Sequence, residues 1–323
     1  MLRVARDLSL IMVILGISSC STIAQWAAPD KVHVSSHKQE YKAAEKVFWK
    51  NFHGGNYAMI PKLLFMYKKM YTENPANYKV AARLGFIHVW ALSERRRLAK
   101  ISPTIIDHAS LCHKYFSEAY SMKKDARYKG FLASCILAEN EIHANERETR
   151  RGFFMMKDAV SDWPEFNYFT GGYVLNNQAW DSDLFDLGVE WQWSNLDECT
   201  EDSVDRKNPD YSKYMHMDVK KGTKRVCWNS KKAPHNFEGF FMNMGDMLVK
   251  KGQVDLARKI YANAKLSKTF KQWPYRAVLE KRIKDAESNV EHFRKEIASG
   301  DIPGHPMTMF NSSYSCMACH QKQ

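Results

Sequence analysis

Proline and glycine are scarce in this chain of 323 residues, which contains 10 prolines and 15 glycines. A disordered chain is usually much richer in both, and a β-sandwich needs them for its many tight turns. Hydrophobic residues make up 45% of the sequence and aromatic residues 13%, which is enough for a sizeable core. The composition therefore favours a folded, all-α protein.

Several catalytic motifs are also missing. The sequence has no glycine-rich phosphate loop, no nucleophile elbow and no pair of zinc-binding histidines on one helix. Hydrolase chemistry is not indicated, and we predict no catalytic residue. The 16 methionines are scattered at helical spacing, which is typical of core packing and not of copper handling.

Residues 1–19 have the features of a secretion signal. Two arginines provide the positive start, an apolar stretch covers 8–17, and small residues precede Cys20. The segment Ile17-Ser18-Ser19-Cys20 resembles the lipobox of bacterial lipoproteins. This resemblance implies that Cys20 is lipidated and that residues 20–39 link the anchor to the folded part. The alternative is an ordinary cleavable signal with an incidental cysteine.

The charge and the expected anchor indicate where the protein acts. The net charge of +12 falls by one when the signal is removed, so the mature protein stays basic. A basic surface suits anionic lipid headgroups or a redox partner with an acidic surface, whereas nucleic acid is a poor partner for an exported lipoprotein. We expect the periplasm or the cell surface. By resemblance to enterobacterial sorting, Ser21 favours the outer membrane.

Amphipathic stretches separated by short polar breaks recur along the chain. Proline in such breaks follows one helix or begins the next, where it does no harm. The pattern therefore predicts antiparallel helical hairpins. It runs through residues 70–92, 119–138, 156–176 and 260–283, with breaks near Pro75, Lys124, Pro164 and Pro274.

One segment, 245–261, resembles a tetratricopeptide repeat. Gly252 ends one helix there, and Tyr261 shares one face of the next helix with small residues. The resemblance implies a solenoid of helical hairpins over 40–177 and 237–298. A non-repetitive helix bundle is the alternative.

The motif Cys316-Met317-Ala318-Cys319-His320 has the C-x-x-C-H spacing of c-type haem attachment. Two thiols at this spacing add across the two vinyl groups of one porphyrin, and the adjacent histidine reaches the iron. We predict one covalent haem c on Cys316 and Cys319, with His320 as the proximal iron ligand. The alternatives are a disulfide between the two cysteines, or a zinc ion that they hold with His320.

Residues 299–323 are predicted to form the haem-bearing tail. Three residues follow the motif, so we expect the cover of the haem to come from upstream residues or from another molecule. Candidate sixth ligands are His305, Met307 and Met309. A haem motif placed after helices resembles class II cytochromes c, which implies a haem packed against helices. The other histidines that we considered are interpreted as ordinary surface or core residues: His88, His108, His113, His143, His216 and His292.

Four cysteines remain as an even set in an oxidising compartment. Cys112 and Cys135 lie equally far from the predicted turn near Lys124, so they face each other in the hairpin. Cys199 and Cys227 bracket much of an aromatic and acidic stretch, 178–236, which we expect to be an irregular insertion folded over the helices. We predict two disulfides, Cys112–Cys135 and Cys199–Cys227; buried free thiols are the alternative for the first pair.

Two functions fit these features. The first is an exported haem lipoprotein that carries electrons to or from a periplasmic or outer-membrane partner. The second is an adaptor or assembly factor whose helical groove binds a partner, with a haem or thiol sensor at Cys316 and Cys319. An electron carrier is favoured over an enzyme.

Overall fold

A computed structural model of the chain describes residues 38–98, 100–217, 219, 221–227, 237–295, 307–311 and 320. In these ranges the regular secondary structure consists of α-helices and short 3-10 turns, with no β-strand. The predicted all-α class is confirmed. Among the same residues, no helix combines the length and the apolar character that crossing a membrane requires.

Seven helices make up the N-terminal part of the described chain. Each packs against the next one along the chain, and most connections are short, so neighbouring helices run antiparallel. The helices are α1 (Lys38–His53), α2 (Ile60–Glu73), α3 (Tyr78–Ser93), α4 (Asp107–Met122), α5 (Ala126–Ile142), α6 (Glu146–Asp162) and α7 (Pro164–Leu175).

The turns between these helices carry the expected chemistry. The side chain of Asn77 accepts hydrogen bonds from two backbone N–H groups of the first turn of α3. Asp125 accepts one from the backbone N–H of Arg127 at the start of α5. Both residues are therefore N-caps, and Pro164 stands in the first turn of α7, where a missing N–H costs little. These three predicted turns are confirmed.

The C-terminal part contains a second set of helices, which includes α9 (Phe237–Lys251) and α10 (Val254–Ala264). Gly252 lies between α9 and α10 with φ of 94°, a backbone conformation that favours glycine, and it ends α9 as predicted. Helix α9 contacts four other helices of this set. The set comprises α8 (Asp183–Thr200), α9 (Phe237–Lys251), α10 (Val254–Ala264), α11 (Arg276–Lys284), α12 (Ala286–Arg294) and the single turn α13 (Thr308–Asn311).

The irregular region is shorter than predicted. The prediction was wrong for residues 183–200, because they form the regular helix α8, which packs along α7. Gly188 and the fully buried Gln192 lie on the buried face of α8. Because neither residue is apolar, the helical spacing of apolar residues is not visible in the sequence of this segment. A Cβ at Gly188 would stand 2.8 Å from the Leu175 Cβ, so glycine permits the close helix crossing. The irregular part begins after Thr200.

Both predicted cysteine pairs lie at disulfide-bonding distance. The α-carbons are 5.8 Å apart in Cys112–Cys135, which joins α4 to α5. They are 5.5 Å apart in Cys199–Cys227, which joins the end of α8 to the end of the irregular region. Both separations fall in the usual range for a disulfide.

A buried polar network fixes α9, α10 and α11 relative to one another. The hydroxyl of Tyr261 donates a hydrogen bond to Asp246 Oδ1 over 2.7 Å. The guanidinium of Arg282 lies 3.5 Å from the same oxygen, and it also donates to the backbone carbonyl of Met307. Asp246 is fully buried and the side chain of Arg282 is only 6% exposed, so each charge depends on the other for compensation.

The short segment 307–311 is docked on the C-terminal helices. Asn176 donates to the hydroxyl of Thr308 over 2.9 Å, next to the Arg282 contact with Met307. Lys250 is buried and donates to the carbonyls of Asn176 and Gln178 at the C-terminal end of α7, where a cation is favourable. Residues 307–311 of the predicted tail are therefore held by specific hydrogen bonds.

Candidate functional site

The imidazole of His320 is buried against helix α1, with 8% of the residue exposed. Its ring centre lies 4.6 Å from that of Phe52, with the planes inclined by 48°. It lies 6.1 Å from the ring centre of His53, and these two planes differ by only 9°. The structure thus brings the histidine of the C-x-x-C-H motif to a second histidine near the other end of the chain.

The aromatic face of α1 forms the floor of this site. Phe48 and Phe52 are four residues apart, so they project from one side of the helix, and both are buried. Phe52 makes edge contacts with Trp90 and Phe86 of α3, with ring centres 5.0 and 5.2 Å apart. Aromatic packing of this kind holds the ring that touches His320 in one position.

His53 is the last residue of α1. Trp49, one turn earlier, has its ring centre 5.1 Å from that of His53. The turn that follows contains Gly55 with φ of 61°, and the hydroxyl of Tyr57 then donates to the carbonyl of Ala91 over 2.6 Å. The end of α1 is therefore fastened to α3 on both sides of the histidine.

A charge pair next to this aromatic face fixes α1 on α3. Burial raises the pKa of Glu45, but the charge and hydrogen bonds of Arg83, together with a hydrogen bond from Tyr67, outweigh burial and hold that pKa below its usual range. Burial disfavours the charged form of Arg83, and the carboxylate of Glu45 raises its pKa in spite of this. Both groups are ionised at neutral pH, and their attraction holds α1 against α3 beside the site.

The other predicted site residues either lie outside the described part of the chain or lie away from His320. Cys20, His305, Cys316 and Cys319 lie outside the described residues. Met309 is fully buried in a cluster with aromatic residues of α7 and α8 and with a methionine of α9. The aromatic neighbours of His320 lie on α1, so Met309 packs against a different part of the molecule. Met307 is half-buried and binds Arg282 through its carbonyl.

The donor set at this site suits a haem iron. Imidazole nitrogens are common ligands of haem iron, and buried aromatic rings form the apolar surroundings that a porphyrin ring requires. His320 supplies an imidazole with the flat apolar surface of Phe52 beside it. The Phe52 ring leaves no room for a porphyrin between His320 and His53. In the described part of the chain, no group of three or more histidine, cysteine, aspartate or glutamate side chains forms a metal cluster. The zinc alternative requires Cys316 and Cys319, which lie outside the described residues.

A second histidine pair lies elsewhere, between α3 and α4. The Nδ1 atoms of His88 and His108 are 2.8 Å apart, and the His88 ring stacks on Tyr115. Burial, followed by the neighbouring His108, lowers the pKa of His88 to about 3. Burial also lowers the pKa of His108. Both rings are therefore neutral at physiological pH, which fits their interpretation as core residues.

Aromatic rings continue from the site along the inner helices. The ring centre of Phe86 is 5.4 Å from that of Phe131, which is 5.8 Å from that of Phe166. The three residues belong to α3, α5 and α7, the second helix of each predicted hairpin. At the far end the guanidinium of Arg225 lies 4.1 Å from the ring centre of Trp163. We call Phe52, Phe86, Phe131 and Phe166 the aromatic row.

No known protein family, characterised protein or solved structure matches this chain. His53 was missed at the sequence level because no local motif links it to residue 320. The useful signal would have been its position after Phe48 and Phe52 on an aromatic helix face that precedes a glycine pair.

Proposed function

We propose that this protein is an exported, lipid-anchored c-type haem protein that transfers single electrons between redox partners. The motif at Cys316, Cys319 and His320 carries the proposal. The burial of the His320 ring against Phe52 supports it, because an iron ligand needs a fixed and apolar environment.

The attachment of haem to the two cysteines is an addition reaction that requires no oxidant. Each thiol adds across one vinyl group, so a carbon–sulfur bond forms, the vinyl double bond becomes a single bond, and the thiol proton ends on carbon. The bound haem would supply an iron that accepts and releases one electron. The chain itself contributes the ligand His320 and an aromatic wall that restricts water.

The proposed location follows from the sequence of residues 1–21, which lie outside the described residues. A lipidated Cys20 would keep the protein at a membrane, with the outer membrane favoured by Ser21. A basic mature chain would attract a redox partner with an acidic surface, and this attraction would weaken as salt rises. Cys20→Ala should release the protein from the membrane fraction, and the electron-transfer rate with an acidic redox protein should fall at high ionic strength.

The first experiment is a pyridine haemochrome spectrum of the chain expressed with a haem-attachment system. Wild type should give a c-type spectrum and a mass increased by one haem. The variant Cys316→Ala, Cys319→Ala should give neither. A wild-type protein without covalent haem would overturn the proposal.

A second candidate function is that of an adaptor built from tetratricopeptide-like hairpins. The succession of antiparallel helices from α2 to α7 supports it. If a strain lacking the protein is rescued by Cys316→Ala, Cys319→Ala, the adaptor function is favoured; if only wild type rescues it, electron transfer is favoured.

A further inference from the structure

We infer that the exposed face of helix α2, with Phe65 at its centre, is the surface through which the protein lies against a membrane with anionic headgroups. The inference rests on the proposed export and lipid anchor, and it adds a second contact with the membrane on the folded part of the chain. Haem plays no part in this contact, so it can be tested separately from the proposed electron transfer.

The side chain of Phe65 is directed away from the core. It is 73% exposed, the largest exposed fraction of any large apolar side chain among the described residues. Leu63 and Tyr67 of the same helix are fully buried, so α2 turns one regular apolar face to the core and holds Phe65 on the opposite side. An apolar side chain in contact with water gains free energy when a partner covers it. Phe65 is therefore available to an apolar phase outside the protein.

Lysines surround Phe65 on the same face of α2. Lys62 lies three residues before it, and Lys68 and Lys69 lie three and four residues after it, so all three are its neighbours on the helix surface. All three are exposed. In the described part of the chain, neither Lys62 nor Lys68 has an acidic side chain within ion-pair distance, so their charges are available to an anionic partner.

Helix α1 extends this basic surface. Lys69 lies 3.5 Å from Glu40 and both side chains are exposed, so the exposed faces of α1 and α2 meet at this pair. Lys42, Lys46 and Lys50 follow at intervals of about one turn on the exposed side of α1. The two helices together contain seven lysines and three glutamates, which leaves an excess of positive charge at this end of the fold.

An anionic bilayer fits both the phenylalanine and the lysines. Lysines are attracted to negative headgroups, while an aromatic side chain enters the boundary between headgroups and acyl chains. The position in the chain favours the same partner, because Lys38, where α1 begins, is 18 positions after Cys20, and such a segment spans at most about 60 Å. The lipid would hold the hairpin of α1 and α2 near the bilayer, and contact through Phe65 would fix which face of the protein is turned to it.

A second exposed phenylalanine of the chain serves as a matched control. Phe154 of α6 is 55% exposed. Its basic neighbours Arg150 and Arg151 each lie 2.6 Å from a glutamate, Glu146 and Glu148 respectively. These arginines are already compensated, so Phe154 lacks the free positive charge that surrounds Phe65.

The experiment measures the binding of the full mature chain with Cys20→Ala, which carries no lipid, to sedimented vesicles. The vesicles consist of phosphatidylcholine alone or of an equal mixture of phosphatidylcholine and phosphatidylglycerol. The protein should bind the mixed vesicles and not the neutral ones, and binding should weaken as salt rises because salt screens the lysines.

Substitutions of Phe65 test the apolar part of the contact. In the Cys20→Ala background, Phe65→Ser should lower the partition coefficient on mixed vesicles by roughly tenfold, because the buried apolar area is lost. Phe154→Ser should leave it unchanged. Phe65→Trp should raise it, because indole favours the membrane interface.

Substitutions of lysine test the charged part at constant net charge. Lys62→Gln, Lys68→Gln should lower the partition coefficient by roughly tenfold or more. Lys268→Gln, Lys271→Gln removes the same charge from two exposed lysines of the C-terminal part, and it should lower the coefficient by less than about twofold. Far-UV circular dichroism of each variant shows that the helices are retained.

Each adverse result has a distinct meaning. Equal binding of Phe65→Ser and Phe154→Ser, or equal losses in the two lysine variants, would overturn the inference, because binding would then depend on net charge alone. No binding of Cys20→Ala to mixed vesicles would overturn it while leaving the lipid anchor of the wild type intact. Selective binding through Phe65 together with a wild type that carries no lipid would support this surface and overturn the proposed anchor.

Discussion

The guanidinium of Arg83 donates two hydrogen bonds to the carboxylate of Glu45 and lies 4.0 Å from the ring centre of Phe48. Helix α1 therefore meets α3 through a charge pair and a cation–π contact next to each other. Only 14% of the Arg83 side chain and 21% of the Glu45 side chain are exposed, so solvent weakens this pair little. This contact also controls the position of His53 two turns further along α1.

Replacing Glu45 by glutamine should lower the free energy of unfolding by about 1 to 3 kcal/mol, because charge-assisted hydrogen bonds contribute that much. Chemical denaturation of Glu45→Gln measures the loss. Glu291→Gln, which breaks an exposed pair with Lys295, is the matched control and should change the value by less than about 0.5 kcal/mol. Equal effects of the two substitutions would show that the Arg83 pair adds nothing beyond a surface contact.

Asp246→Asn should destabilise the protein much more, by about 3 to 5 kcal/mol, because it leaves the buried charge of Arg282 uncompensated. Urea denaturation gives the value. Asp255→Asn is the control, since the Asp255 side chain is 96% exposed on the next helix.

The pair of Asp246 and Arg282 can also be tested by replacing both residues. Removing both charges in Asp246→Leu, Arg282→Met should cost less than Asp246→Asn alone, because an apolar pair leaves no buried ion. A double variant that is less stable than the single one would mean that the hydrogen bonds of Arg282, including its bond to Met307, outweigh the charge.

Acidification should destabilise the fold through His88. The pKa of this residue is lowered from 6.5 to about 3, so the unfolded chain binds a proton below pH 6.5 that the folded chain does not. The stabilising effect of the neutral ring is complete above pH 6.5 and is lost as the pH falls, by about 1.4 kcal/mol per pH unit. The free energy of unfolding, measured from pH 7 to pH 5, should fall less steeply in His88→Gln than in wild type. His143→Gln, at an exposed position, should keep the wild-type slope.

The two cysteines of the Cys199–Cys227 pair are 28 positions apart in the sequence. The double variant Cys199→Ser, Cys227→Ser should have a free energy of unfolding about 3 to 4 kcal/mol lower than wild type, because the unfolded chain without the disulfide has more conformational freedom. Alkylation followed by mass spectrometry checks the bond directly. Native protein should not react at either cysteine until a reductant is added. Reaction of the native protein at Cys199 would contradict the disulfide.

Features that depend on local spacing could be predicted from the sequence. The helix breaks near Pro75, Lys124 and Pro164 could be located because turn residues act within a few positions, and the structure adds that Asn77 and Asp125 are the caps at the first two. The pairing of Cys112 with Cys135 followed from their equal distances to one turn. Such relations need no knowledge of the rest of the fold.

Relations between distant segments could not be predicted in this way. Helix α8 was missed because Gly188 and Gln192 occupy buried positions, which a sequence pattern treats as polar or breaking. The proximity of His53 and His320 depends on how every helix between them is stacked. No spacing rule contains that information, because it belongs to the tertiary packing of the whole chain.

The docking of His320 on α1 also has a kinetic consequence. Helices α1 to α3 can fold as soon as they are available, since their contacts are close in sequence, whereas the contact between Phe52 and His320 closes a loop of most of the chain. We expect it to form last, after the helices between them have assembled. Until then the aromatic face of α1 that His320 covers stays accessible to solvent.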